Sequence, residues 1–167
     1  MDYKIRLAVA TDCKNLSKLK RLVWESTYRG IYPDEKIDGY DYKKNEERFL
    51  EIINNKDVEL YVVESNDKLV GYMDYGKPYR PFDDYEQEIG LLYLLSDYQR
   101  KGIGKKLFQL AYGNIKNKGY NSFFISCNKY NIPAQKFYEC MGGKIICVDE
   151  DSDNKAEVQI KYHFDIN

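Results

Sequence analysis

Histidine and tryptophan occur once each in this chain, and proline and cysteine four times each. Cys13, Cys127, Cys140 and Cys147 have no C-x-x-C spacing, so neither a thiolate metal site nor a disulfide framework is indicated; buried free thiols are expected, with no metal. An excess of charge of one sign is also lacking, with 26 basic against 27 acidic residues, which argues against a broad surface for nucleic acid. No apolar run approaches membrane-spanning length, and Met1-Asp-Tyr-Lys-Ile has no apolar leader core. A cytoplasmic protein with no membrane partner is expected. What is abundant is tyrosine, at 17 residues, an amphipathic side chain suited to pocket walls. The length of 167 residues suits one domain, 1–167, with a proper core.

The most informative stretch runs from Glu88 to Phe108. Ile89 to Leu95 is almost all apolar, short and free of proline, which predicts a buried strand. Gln99-Arg-Lys-Gly-Ile-Gly104 follows, and Ile103, Leu107, Leu110, Ala111 and Ile115 then recur at helical spacing. A strand, a glycine-containing turn and a helix start form a unit suited to a phosphate or pyrophosphate. Glycine permits φ > 0, and the helix start offers unsatisfied N–H donors with partial positive charge. The glycine spacing does not make a P-loop, and Leu107 stands where a dinucleotide-binding turn needs its third glycine.

The rest of the chain alternates in kind. Tyr3 to Ala10 reads as an amphipathic strand. Thr11 or Asp12 can cap a helix striped by Leu16, Leu19, Leu22 and Val23 that reaches about Tyr28, and Gly30 and Pro33 break it. A second helical region spans about Tyr42 to Asn54. Val58–Glu64 and Leu69–Tyr75 form a hairpin about Asn66-Asp67. After a loop over Gly76 to Asp84 comes the key strand, then the helix reaching about Lys118, where Gly119 stops it. Phe123 to Ser126 makes another strand, and Asn131-Ile-Pro-Ala opens a short helix to about Cys140. Lys144–Val148 and Glu157–Phe164 complete a hairpin across the polar loop Asp149 to Lys155. The order β-α-α-β-β-β-α-β-α-β-β is an α+β pattern with a mixed sheet.

Gln99-x-x-Gly102-x-Gly104 resembles the acetyl-CoA signature Q/R-x-x-G-x-G/A of GNAT-type N-acetyltransferases. Asn131-x-x-Ala134-x-x-Phe137-Tyr138-x-x-x-Gly142-Gly143 resembles that family's N-x-x-A-x-x-F-Y-x-x-x-G-F segment, with Gly143 where an aromatic is common. The element order extends the resemblance over nearly the whole chain. It implies a GNAT fold, a mixed, mostly antiparallel sheet of about seven strands with about four helices. It also implies acetyl-CoA as cosubstrate, an amine acceptor as partner and direct transfer in a ternary complex. Main-chain amides around Arg100, Lys101, Gly102, Ile103, Gly104 and Lys105 would hold the pyrophosphate, beside Gln99. The pantetheine would lie on the main-chain edge near Leu94 and Leu95. As charges, Arg100, Lys101 and Lys105 add roughly 0–1 kcal/mol each when exposed. The plainer reading is a helix entry whose glycines only permit a tight turn.

Catalysis sets a proton problem. An acceptor ammonium with a pKa near 10.4 must lose a proton, costing about 4–5 kcal/mol at pH 7. Glu88, at the start of the fourth strand, is the candidate proton acceptor, with Glu86 the alternative; both also read as plain exposed charges. Tyr138 stands where the family places a tyrosine that protonates the departing thiolate; packing is its plainer role. Asn131 either contacts the pantetheine or caps its helix. Cys127 and His163 lack an orienting third group and are not read as a nucleophilic pair.

For the acceptor, Trp24, Tyr28, Tyr32, Tyr79, Phe82 and Tyr85 can wall a pocket, with Asp34, Asp83, Asp84 and Glu86 supplying negative charge. That mix suits a cationic amine such as a polyamine, an aminoglycoside or a peptide N-terminus; a solvated acidic loop is the plainer reading. Trp24-x-x-x-Tyr28-Arg-Gly-Ile-Tyr-Pro33 resembles GNAT members that acetylate polyamines and ribosomal proteins. A homodimer is left open. A CoA-binding module without turnover is the second functional reading, and an unrelated nucleotide-binding α/β protein the third.

Overall fold

A computed structural model describes residues 2–149 and 153–167. Seven strands form one sheet in the order β1-β2-β3-β4-β5-β7-β6. They are β1 (Lys4–Leu7), β2 (Val58–Ser65), β3 (Lys68–Gly76), β4 (Glu88–Leu94), β5 (Ser122–Asn128), β6 (Lys144–Val148) and β7 (Gln159–Asp165). The helices are α1 (Cys13–Tyr28), α2 (Asp34–Asp38), α3 (Tyr42–Asn54), α4 (Ile103–Asn117) and α5 (Ile132–Cys140). Every neighbouring pair of strands is antiparallel except β4 with β5. That pair meets only at Glu88↔Phe124 and Ile89↔Ile125, after which the strands part. Part of the expected polar loop from Asp149 to Lys155 lies outside the described residues.

The sheet is alternately apolar on both faces, so each face carries its own core. On one side Leu16, Leu19, Val23, Phe49 and Ile52 of α1 and α3 pack on Leu60, Val62 and Tyr72. On the other, Ile103, Leu107, Phe108, Ala111 and Ile115 of α4 and Tyr138 of α5 pack on Ile89, Phe123, Ile125, Tyr162 and Phe164. The β2–β3 hairpin turns through Asn66 (φ 50) and Asp67 (φ 58), two adjacent left-handed residues matching the twist of the strands.

Four features depart from the pattern expected of the sequence. The region after Pro33 holds a fifth helix, α2, a single turn whose one buried residue is Ile37. β1 is shorter than Tyr3–Ala10, because Ala10–Asp12 winds into a 3-10 turn. Asp12 precedes α1 without capping it, and its carboxylate instead pairs with Arg6 at 2.8 Å and accepts the Val9 amide. Gly143 stands in place of an aromatic because a Cβ there would lie 2.7 Å from the Phe164 ring.

Four free thiols are distributed unequally. Cys13 and Cys127 are buried, Cys147 is half-buried, and Cys140, at the end of α5, is exposed. Phe123, fully buried, stacks on Phe164 at 5.0 Å and touches Phe108. Phe123→Ala should therefore cost about 3–5 kcal/mol of stability, read as a lowered urea midpoint. A loss under 1 kcal/mol would show that this face is not the packed core described.

Candidate active site

The parting of β4 and β5 leaves the edge of β4 from Gly90 to Leu94 without a strand partner on that side. Beyond Leu94 a 3-10 turn, Ser96–Tyr98, leads into the Gln99–Gly102 turn. Gln99 ties the turn to the strand, its Nε2 donating to the Leu94 carbonyl at 3.0 Å. Arg100 (φ 60) and Gly102 (φ 82) are both left-handed, and this folds the chain back sharply into α4. Gly102 is needed for that conformation alone, since nothing lies within 4 Å of where its Cβ would be. Gly104 faces the Phe137 ring, which a Cβ would meet at 3.5 Å. The first ladder bond of α4 runs from the Lys106 N–H to the Gly102 carbonyl, so the amides of residues 102–105 have no acceptor within the helix. Arg100, Lys101 and Lys105 are exposed around them. These amides, beside an open strand edge, fit a diphosphate followed by an extended arm.

Tyr138 sits on the same side of the parting. It is 5% exposed, and its ring lies 5.8 Å from Tyr162 and 5.5 Å from Phe137. Burial, then the nearby Cys127, holds its phenol well above the ordinary value, so it stays protonated at neutral pH. The Cys127 thiol is pushed up to about 12 by its own burial and is no nucleophile. His163 is engaged elsewhere, between the Tyr85 hydroxyl at 2.6 Å and Asp165 at 2.9 Å. Asn131 caps α5, its side-chain oxygen accepting the Ala134 N–H at 3.3 Å.

The aromatic wall expected from the sequence assembles in part. Tyr28 and Tyr32 stack at 4.2 Å, and Trp24 meets Tyr32 edge-on at 5.5 Å. The Tyr28 hydroxyl bonds that of Tyr93 on β4 at 2.8 Å, linking α1 to the parting strand. The acidic half does not join it. Asp34 is taken up by Arg29, which also holds Glu25 and Asp38. Asp84 is exposed, and Glu86 lines a separate cleft of about 430 Å³ with Lys56, Lys77, Tyr85 and Gln87.

Glu88 is half-buried, and its Oε2 accepts the Tyr79 N–H at 3.3 Å. Burial raises its carboxyl above the usual range, which makes it a better proton acceptor. Behind it is a carboxylate that sequence reading missed. Asp74 of β3 is fully buried, accepts the Tyr79 hydroxyl, and takes the Leu91 amide at 2.7 Å. The register explains why: Tyr75 pairs with Ile89 and Asp74 with Leu91, so Gly90 is an extra residue, a bulge. A Cβ at Gly90 would lie 2.6 Å from Tyr79 and 2.8 Å from Asp74. The carboxylate thus braces a distortion in β4 just where that strand leaves β5. The only sequence trace was an acid inside an apolar strand.

The Acetyltransferase (GNAT) family model matches residues 17–142. The chain belongs to the GNAT acetyltransferase family. Among curated GNAT relatives, the spermidine N(1)-acetyltransferase of Thermoplasma acidophilum is 28% identical over 166 residues, covering 96% of this chain and 98% of the relative. An uncharacterized N-acetyltransferase of Bacillus subtilis is 24% identical over 159 residues, covering 94% and 88%. The PaiA N-acetyltransferase of T. acidophilum, solved with coenzyme A, superposes with a TM-score of 0.80 at 25% identity over 99% of both chains. The chain is thus an N-acetyltransferase with a GNAT fold, a mostly antiparallel seven-stranded sheet and five helices. No helix among the described residues is long and apolar enough to cross a membrane, and no group of metal-binding side chains is found among them.

Burial pushes the Asp74 carboxyl up to about 7. Between pH 4 and 7 the folded protein holds a proton that the unfolded chain has released, so this group's contribution to stability falls as pH rises through that window. Asp74→Asn cannot ionise and should remove the fall. Urea midpoints of wild type and variant should diverge across pH 4–7 by up to about 4 kcal/mol. Parallel pH profiles would count against a perturbed Asp74.

Proposed function

We propose that this GNAT enzyme moves an acetyl group from acetyl-CoA to a primary amine, directly and without an acyl-enzyme. One observation carries the reading: unbonded amides at the start of α4 adjoin an unpaired β4 edge that ends beside a buried, protonated Tyr138. The main-chain N–H groups of residues 102–105 hold the diphosphate, with Gln99, Arg100 and Lys101 around them, and the edge near Leu94 and Leu95 aligns the pantetheine. Bound there, acetyl-CoA supplies a thioester acyl donor. The coenzyme A in the PaiA structure and the name of the spermidine relative support this reading. The acceptor is a small-molecule amine, polyamine, aminoglycoside or peptide N-terminus.

Glu88 takes the ammonium proton through an ordered water, and its burial narrows the gap in basicity between carboxylate and amine. The neutral nitrogen then bonds to the acyl carbon, the carbon–sulfur bond breaks, Tyr138 gives its proton to the leaving sulfur, and the second proton shed by the new amide nitrogen returns through solvent to the Tyr138 phenolate. A phenol held above its usual pKa is a weaker acid, but the leaving thiolate sits in the same apolar surroundings. Cys127 shows the effect of such surroundings, a thiol lifted to about 12. Donor and acceptor rise together, so the transfer stays near balance.

Thiol release from acetyl-CoA with a panel of amines tests the reading. Tyr138→Phe should lower kcat about 10²–10⁴-fold with KM for acetyl-CoA little changed. Glu88→Gln should abolish the acidic limb of kcat/KM. Unchanged kcat in the first, or an unchanged limb in the second, removes that residue from the mechanism. Gly102→Val forces a branched side chain into a left-handed backbone and should abolish measurable binding of CoA by calorimetry; undiminished heat would move the diphosphate elsewhere.

A further inference from the structure

Between α1, α3 and β4 lies a cavity of about 130 Å³, lined by Lys20, Asn45, Arg48, Phe49, Ile52, Tyr79, Gly90 and Leu91. Gly90 is the bulge residue, and Tyr79 gives its amide to Glu88. The cavity therefore opens against the stretch of β4 where the proposed chemistry occurs.

Its charge is unusual for a site expected to draw cationic amines. Lys20 is half-buried, its ammonium donating to the neutral Asn45 Oδ1 at 2.8 Å and lying over the Trp24 and Phe49 rings at 5.3 and 5.8 Å. No carboxylate among the described residues pairs with it, nor with Arg48. A cation withdrawn from water without a counter-ion is costly. The cost shows in the Lys20 amine, pulled down to about 8 by its burial, then by Arg48 and Lys36. Lys36 adds a third positive group, 5.6 Å from the Trp24 ring. The carboxylates nearby are committed to other partners, Asp74 to the Tyr79 hydroxyl and the Leu91 amide, and Glu88 to the Tyr79 amide.

We propose that this cavity receives a carboxylate carried by the acceptor itself, with Lys20 and Arg48 as its anchors. The inference rests on the transferase reading above and narrows it: the substrate is an amino acid-like molecule, with an amine at the Glu88 end and an acid at the Lys20 end. A diamine or polyamine of the same length places a second cation against Lys20 and Arg48 and is disfavoured.

The probes are ω-amino acids of three to six carbons, with diamines of matching length. Thiol release from acetyl-CoA should give kcat/KM at least about tenfold higher for the best amino acid than for its matched diamine, the scale of a charge-assisted hydrogen bond. Arg48→Met, at an exposed position that tolerates change, should bring that ratio close to one. Lys20→Met should do the same, and Lys20→Arg should restore part of it. A diamine preferred over every amino acid, or a ratio unmoved by Arg48→Met, overturns the proposal. Calorimetry of the same amino acids on CoA-loaded protein separates the two readings. Heat that is lost in Arg48→Met, with no thiol released from any amine, keeps the carboxylate subsite and removes the transferase reading. No heat from any amino acid removes the subsite, whatever amine is acetylated.

Discussion

Everything at the centre of this molecule depends on two strands that begin as a pair and then separate. β4 and β5 share only Glu88↔Phe124 and Ile89↔Ile125. A parallel pair that continued would satisfy both edges, and no ligand could enter. Its early end leaves main-chain groups open, and such groups are costly if buried without a partner. They are tolerated only where solvent or an extended ligand arm reaches them. The Gly90 bulge lies where the separation begins, and Asp74 takes up an amide that the broken ladder leaves behind. One buried acid on β3 thus supports the opening that defines the site.

The two faces of the sheet divide the work. α4 brings its amino end to the mouth of the opening, and α5 sets Tyr138 against it, both anchored in the core that contains Phe123 and Phe164. The opposite core fixes α1 and α3, and from it project Trp24, Tyr28, Lys20 and Arg48. The proposed donor and acceptor machinery therefore rest on separate cores and meet at β4. The Tyr28–Tyr93 hydrogen bond holds α1 to the strand at the second of these cores. Arg29, with three carboxylates, fixes the turn between α1 and α2 in the same region.

Much of this was legible in the chain because it is local. The run from Ile89 to Leu95, the glycines at 102 and 104 and the helical repeat to Ile115 are each set by neighbouring residues, and the Phe137-Tyr138 pair belongs to one short helix. What could not be read depends on distant segments. α2 has five residues, too few for a repeating apolar pattern, and is held by Ile37 and by ion pairs to Arg29. Asp74 looks like one polar residue in an apolar strand; only the bulge at residue 90, on another strand, turns amides toward it. Counting acids around residues 34 and 83–86 suggested a negative pocket, but counting cannot show that Arg29 neutralises Asp34. Nor does it show that Lys20 and Arg48, on different helices, converge on one cavity.

The unequal thiols have a practical consequence. Cys140 ends α5 exposed to solvent, while Cys127, near Tyr138, is shielded and firmly protonated. Alkylating dyes will therefore favour Cys140, with the half-buried Cys147 the one to replace for a single label. A fluorophore on Cys140 rides on the last turn of the helix that carries Tyr138, giving an optical signal of ligand occupancy that needs no turnover.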